Sequence, residues 1–359
     1  MMKAVCFLLF LPAYFAVTGC NSKIFIPFND KHIVYEGRVA FTREAAELMW
    51  SGTSVKINFS GTSISGSFKD ADTANYYNVI IDNKLVSKIQ FDREQKIYVL
   101  AEGLEPGAHL LELFKRTEWD KGKTFFYGFE CSDKSASLSP PQKPARKIEF
   151  FGNSITCGYG IEDAVNDSPV GFFENSYNAY AAITARHFNA QAHYTAKSGI
   201  GITVSWFPMV MWEMYDRLDP TNPSSKWNFA AYTPDVVVIN LLQNDYWLTN
   251  MPDHPEFIRN FGTTKPDSTV IIGAYKNFVQ LVRQKYPQAQ IICMLGNMDI
   301  TSKGSRWPGY VQSAVQELKD EKIKTFFVPF KETGGHPKTG EQKVLADALI
   351  KFIEANISW

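Results

Sequence analysis

Residues 235–242, DVVVINLL, are apolar at nearly every position, and this run restricts the fold more than any other in the chain. A strand wet on one face alternates apolar and polar side chains. One that is apolar throughout must be covered on both faces, as in a parallel sheet between two layers of helices. The neighbouring segments agree. From residue 147 onward, short apolar runs (IEFFG, AHYTA, QIICMLG, KTFFVPF) alternate with longer stretches: SYNAYAAITARHF, MVMWEMYDRL, STVIIGAYKNFVQLVRQKY, YVQSAVQELKDE and EQKVLADALIKFIEA. This order predicts a three-layer α/β/α domain with a parallel sheet over residues 147–359.

The chain keeps a different rhythm over residues 32–131, where SVKINFSG, SISGSF, YYNVIIDNKLV, KIYVL, HLLELF and KTFFYGFE are broken by Ser60-Gly61, Asp82-Asn83 and Pro106-Gly107. Short β-rich runs between such turns predict an all-β domain, a sandwich or jelly roll, over residues 21–131. Nothing catalytic is evident in it. Between the halves, residues 132–146 (SDKSASLSPPQKPAR) carry Pro140, Pro141 and Pro144 in a polar setting and read as a linker.

The first residues read as an export signal: Lys3, an apolar run over residues 4–16 that is too short to span a bilayer comfortably, and VTGC ending at Cys20. Thr18, Gly19 and Cys20 resemble a bacterial lipobox. That resemblance implies that residues 1–20 form a lipoprotein signal, that Cys20 is lipidated, and that the protein sits in the cell envelope and touches membrane only through the anchor. Formal charge balances at zero without long charged runs, so nothing attracts nucleic acid by bulk electrostatics. Cys131, Cys157 and Cys293 have neither an even count nor metal-like spacing, which argues against a disulfide framework or a metal site.

In open α/β sheets reactive groups collect on loops beyond the carboxyl ends of strands. Those loops hold Gly152-Asn153-Ser154, Ser198-Gly199-Ile200-Gly201, Asn244-Asp245 and Gly335-His336-Pro337. A serine hydroxyl needs a base to become a nucleophile, and His336 is the histidine at a predicted strand end in this half. Acyl transfer also needs donors for an oxyanion. The Ser154 amide, the uncrowded Gly199 amide and the Asn244 side chain suit that role. No G-x-S-x-G elbow, HExxH or P-loop is present.

Together GNSITCGYG, SGIG, QND and GHP, in this order, resemble the four blocks of the SGNH (GDSL-type) hydrolases. With the front β domain and PDVVVINLLQNDYW, the chain is most similar to carbohydrate esterase family 2. The resemblance implies that the front domain is a jelly roll and that Ser154 is the nucleophile. It also implies Gly199 and Asn244 as oxyanion donors with the Ser154 amide, His336 as the general base, and no cofactor or metal. Two positions depart from the family pattern. Leu242 stands where the third block has glycine, and is expected to narrow the pocket or shift the loop. Thr333 stands three residues before His336, where the family generally has aspartate, so the imidazole's orienting group is open between a backbone carbonyl, Glu332 and another acid.

Tyr159, Trp206, Trp212, Tyr246, Trp247 and Trp307 could form a sugar platform. Trp247 and Tyr159 are the expected site-lining residues, Trp212 is expected in the core, and Asp245 is expected to hold its loop. The expected activity is a serine esterase that removes O-acetyl groups from plant cell-wall polysaccharides or oligosaccharides such as xylan and glucomannan. The alternatives are a lipase or thioesterase acting on longer acyl chains, and a carbohydrate-binding lipoprotein with a decayed site.

Overall fold

The structure is a computed structural model that describes residues 22–359; Cys20 and the expected signal lie outside the described residues. The parallel sheet has the strand order Ala190–Ala196, Arg146–Gly152, Val236–Asn240, Gln290–Leu295, Ile323–Phe327. Every neighbouring pair is parallel. Alternate residues of one strand serve opposite faces. Val237 and Ile239 pack with Tyr275, Phe278 and Val311, from helices Ser268–Lys285 and Trp307–Leu318. Val236 and Val238 pack with Tyr180, Leu345 and Leu349, from helices Tyr180–His187 and Thr339–Asn356. The run DVVVINLL is apolar because both of its faces are interior.

Local chemistry places the helices. Asp267 caps Ser268–Lys285 by accepting hydrogen bonds from the Thr269 and Val270 amides, and Ile271, Tyr275, Phe278, Val279 and Val282 then fall on one buried stripe. The run around MVMWEMYDRL forms only the single turn Met211–Met214. Trp212 is 51% exposed rather than in the core. One turn has no continuous apolar face, so the amphipathic-helix argument for that residue does not apply.

The front half is a sandwich of two antiparallel sheets. One has the order Val39–Phe41, Ala46–Leu48, Thr124–Ser132, Ile64–Asp70, Lys96–Ala101, with Lys23–Pro27 also paired to Thr124–Ser132. The other runs Ile33–Glu36, Ser54–Ser60, Ala108–Lys115, Tyr77–Ile81, Lys84–Ile89. Val55, Ile57 and Phe59 from the second sheet meet Phe68, Phe126 and Phe129 from the first in one core.

The proline-bearing segment between the halves is held down. The Ser60 amide donates to Ser135 Oγ (2.9 Å) and Asn58 Nδ2 donates to the Ser139 carbonyl (2.9 Å). Met49 and Trp50 of the front half pack into the core that contains Ile200, Ile202 and Leu242. Arg38, 1% exposed, donates to Glu149 Oε1 (2.7 Å) and to the Tyr215 carbonyl (2.7 Å). The two halves therefore share buried apolar and ionic contacts.

Candidate active site

The sheet reverses its winding between Arg146–Gly152 and Val236–Asn240, because the chain leaves the first of these toward one edge and later returns toward the other. That switch point opens a crevice at the strand ends. Ser154 lies immediately beyond the first strand and Asn244 just beyond the second. A cavity of about 300 Å³ there is lined by Ser154, Tyr159, Ser198, Gly199, Trp206, Asn244, Trp247 and His336.

Ser154 is presented by a strand that turns directly into one helical turn, Ser154–Cys157. Asn153 caps the turn, its side-chain oxygen accepting from the Ile155 amide (3.0 Å). Gly152 makes the turn possible, because a Cβ there would lie 1.9 Å from Thr156 Oγ1. Neither the Ser154 nor the Gly199 amide donates to a group among the described residues, so both remain available to a ligand.

His336 Nε2 lies 2.8 Å from Ser154 Oγ, and Nδ1 lies 2.8 Å from Asp167 Oδ2. The Asp167 carboxyl is held well below the usual carboxylate range, first by its hydrogen bond to His336 and also by the Lys338 ammonium, against the opposing effect of burial. Ionised, it can only accept, so Nδ1 carries the proton. In the neutral ring Nε2 is then the acceptor of the Ser154 hydroxyl proton. The His336 amide donates to the same carboxylate oxygen (2.8 Å), and Lys338 Nζ donates to the other (2.8 Å).

Asp167 is the residue that the sequence reading missed. It settles the choice left open for the imidazole's partner: another acid, not Glu332 and not a carbonyl. Glu332 is exposed. The Thr333 hydroxyl donates to Glu341 and accepts from Lys331 Nζ (2.6 Å), so that residue serves its own loop. Asp167 comes instead from the loop after the Ser154 turn. Asp163 shapes that loop by accepting from the Val165 (3.0 Å), Asn166 (2.9 Å) and Ser168 (3.1 Å) amides. The run DAVNDS carries the Asx-turn chemistry of such a loop, but nothing in it indicates a partner 169 positions away.

The Asn244 amide is fixed at both ends. Its oxygen accepts from Trp206 Nε1 (3.0 Å), a group that can only donate, and its nitrogen donates to the Ile200 carbonyl (2.7 Å), which can only accept. One N–H of that nitrogen is left over. Asp245, expected to hold its own loop, holds the neighbouring one instead: it accepts from the Ile202 (3.0 Å), Thr203 (2.6 Å) and Val204 (3.3 Å) amides of the loop after Ala190–Ala196 and is fully buried. Burial pushes its carboxyl above the ordinary value, although those amides oppose the shift.

For Leu242 the structure decides one of the two expected effects. Its side chain is 0% exposed in the core with Ile239 and Ile200, away from the cavity, so it does not narrow the pocket. Its backbone takes φ 75°, the left-handed conformation that glycine adopts without strain. Of the six aromatic residues, Tyr159, Trp206 and Trp247 reach the cavity. The Tyr159 ring lies 4.7 Å from that of His336, and Trp247 Nε1 donates to Asp299 (2.8 Å). Tyr246 and Trp307 meet edge to face in a neighbouring groove. Cys131, Cys157 and Cys293 are free and buried.

The chain matches the family models "Carbohydrate esterase 2 N-terminal" over residues 35–141 and "GDSL-like Lipase/Acylhydrolase family" over residues 150–347. It is 35% identical over 344 residues to a cellulase/esterase, CelE, of Acetivibrio thermocellus, with 91% of this chain spanning 40% of that longer protein. It is 23% identical over 376 residues to an acetylxylan esterase / glucomannan deacetylase of Cellvibrio japonicus, covering 100% of both. Among solved structures it resembles a family two carbohydrate esterase from Clostridium thermocellum in complex with cellohexaose, with 34% identity, a TM-score of 0.78, and coverage of 90% of this chain and 98% of that one. The chain belongs to the GDSL-like hydrolases and, with its front domain, to carbohydrate esterase family 2.

Proposed function

We propose that the protein is a serine esterase that removes O-acetyl groups from plant cell-wall polysaccharides. The observation that carries this reading is the line Asp167–His336–Ser154, each link 2.8 Å, at the edge of a cavity walled by Tyr159, Trp206 and Trp247. His336 Nε2 takes the hydroxyl proton as Ser154 Oγ attacks the acetyl carbonyl. The negative charge that develops on the carbonyl oxygen is met by the Ser154 and Gly199 amides and the remaining N–H of Asn244. The imidazolium, balanced by Asp167, returns its proton to the departing sugar oxygen. Water, deprotonated by the same imidazole, then releases acetate and frees the serine.

The cavity suits a small acyl group: at about 300 Å³ it must hold the acyl group and still leave aromatic faces for a sugar ring. The relatives named as an acetylxylan esterase / glucomannan deacetylase support the same substrate class. Acetate release from acetylated xylan and glucomannan, beside hydrolysis of acetyl and octanoyl nitrophenyl esters, tests the reading. The acetyl ester is expected to be the better substrate, and a preference for octanoyl would refute it. We place the enzyme outside the cytoplasm, tethered through a lipid on Cys20. Replacing Cys20 with Ala should move the exported protein from the membrane fraction to the soluble one, and an unchanged distribution would contradict the anchor.

A further inference from the structure

The front β domain carries acidic side chains, Glu118 and Asp120, into the neighbourhood of the reaction centre. Glu118 lies on the connection between Ala108–Lys115 and Thr124–Ser132, and it is 0% exposed. Its Oε2 accepts a hydrogen bond from the Ser198 amide at 2.7 Å, across the boundary between the halves. The same oxygen meets Lys197 Nζ at 3.2 Å, and that ammonium also donates to Asp120 Oδ2 at 2.8 Å. Burial by itself would lower Lys197, but Glu118 and Asp120 hold it above the ordinary lysine value, so its ammonium stays charged. Glu118 is itself held at its backbone, where its amide donates to Glu174 Oε1 (2.5 Å) and its carbonyl accepts from Lys115 Nζ (3.3 Å).

Ser198 immediately precedes Gly199, whose amide faces the cavity. The peptide that carries the Gly199 N–H is fixed on its downstream side by three bonds: the Ile200 amide donates to the Lys197 carbonyl (3.2 Å), the Trp206 amide donates to the Gly199 carbonyl (3.0 Å), and Asn244 Nδ2 donates to the Ile200 carbonyl (2.7 Å). Upstream, Lys197 N reaches the Gly152 carbonyl at 3.3 Å, and the Ser198 amide has Glu118. A donor aimed at a developing charge works only while its direction is fixed before the reaction. Gly199 sits at φ 82°, in a glycine peptide with freedom to rotate once a neighbouring restraint is lost.

We propose that Glu118 is a positioning residue: through the Ser198 amide it sets the direction of the Gly199 N–H, so that the front domain completes the oxyanion site of the catalytic one. This rests on the esterase reading above for the role of Gly199. It goes beyond that reading by making the β domain part of the catalytic apparatus.

The test compares Glu118→Gln with Glu118→Met. Both side chains match glutamate in length and carry no charge, and only Gln keeps an oxygen for the Ser198 N–H. Two readouts are taken: kcat and KM for a nitrophenyl acetate, and the rate at which a fluorophosphonate labels Ser154, which needs the oxyanion donors whatever the natural substrate. Glu118→Gln is expected to stay within about threefold of the parent, and Glu118→Met to lose about tenfold or more in kcat and in labelling rate at nearly constant KM. Equal rates for the two variants would overturn the proposal.

If Glu118→Met does not fold, Glu118→Asp replaces it. Its carboxylate keeps the charge but falls short of the amide, and it is expected to be as slow as the Met variant. A parent-like rate in Glu118→Asp would equally overturn the idea. A parent enzyme that is labelled at Ser154 but releases no acetate would count against the substrate reading, and leave the labelling comparison to decide the role of Glu118.

Discussion

Asp167 shows how much a single carboxylate does here. It takes two hydrogen bonds from His336, one from the ring and one from the backbone, and a third from Lys338, and it is thereby kept ionised. Asp167→Asn keeps the shape and removes the charge. It is expected to lower kcat by at least about 100-fold, since the imidazolium formed during attack loses its counter-charge and the ring its fixed tautomer. A variant that keeps most of the parent's kcat would mean that Asp167 does not face the ring in solution. Residues of this kind divide into legible and illegible ones. Ser154, Gly199, Asn244 and His336 each stand at a strand end within a recognisable block. Asp167 stands in a loop with no block, and only the fold brings it to the imidazole.

At the scale of elements, the strand-to-helix turns do the aiming, and Leu242 is where their geometry strains the sequence. A left-handed backbone costs a leucine about 1–2 kcal/mol, whereas deleting a buried leucine side chain costs about 3–5 kcal/mol. Burial wins, which is how a residue other than glycine persists at φ 75°. Leu242→Gly should therefore destabilise the fold by about 2 kcal/mol in a denaturant titration while leaving acetate release largely intact; a stabilised variant would reverse this ordering of the two effects. The strands of the parallel sheet were legible because burial on both faces writes continuous apolar runs. The turns Gln243–Leu248 and Pro255–Phe261 were not expected, since short helices after a strand leave too few positions for a period to show. On the Gly335 turn, a Cβ would lie 2.8 Å from Asp167 Oδ2, so the GHP block is shaped by the same acid that the sequence did not reveal.

For the whole molecule, the change of rhythm near residue 132 was legible as two halves, but their union was not. Arg38 and Glu149 form a buried ion pair, Met49 and Trp50 enter the core beside Ile200, and Glu118 reaches the Ser198 amide. Each contact joins positions far apart in sequence, and no periodicity announces such partners. The buried pair costs desolvation that good geometry must offset, so it contributes more to fixing how the halves dock than to net stability. Docking matters because the loop of Ser198 and Gly199, which lines the cavity, leans on the front half. The central claim remains that Ser154 becomes covalently acylated. Rapid quenching of the enzyme with an acetyl ester, followed by mass analysis of its peptides, tests it most directly. The account predicts one acetyl group on the peptide that carries Ser154, absent from the Ser154→Ala variant. Turnover of the ester with no acetyl on that serine, or undiminished turnover by the variant, would contradict it.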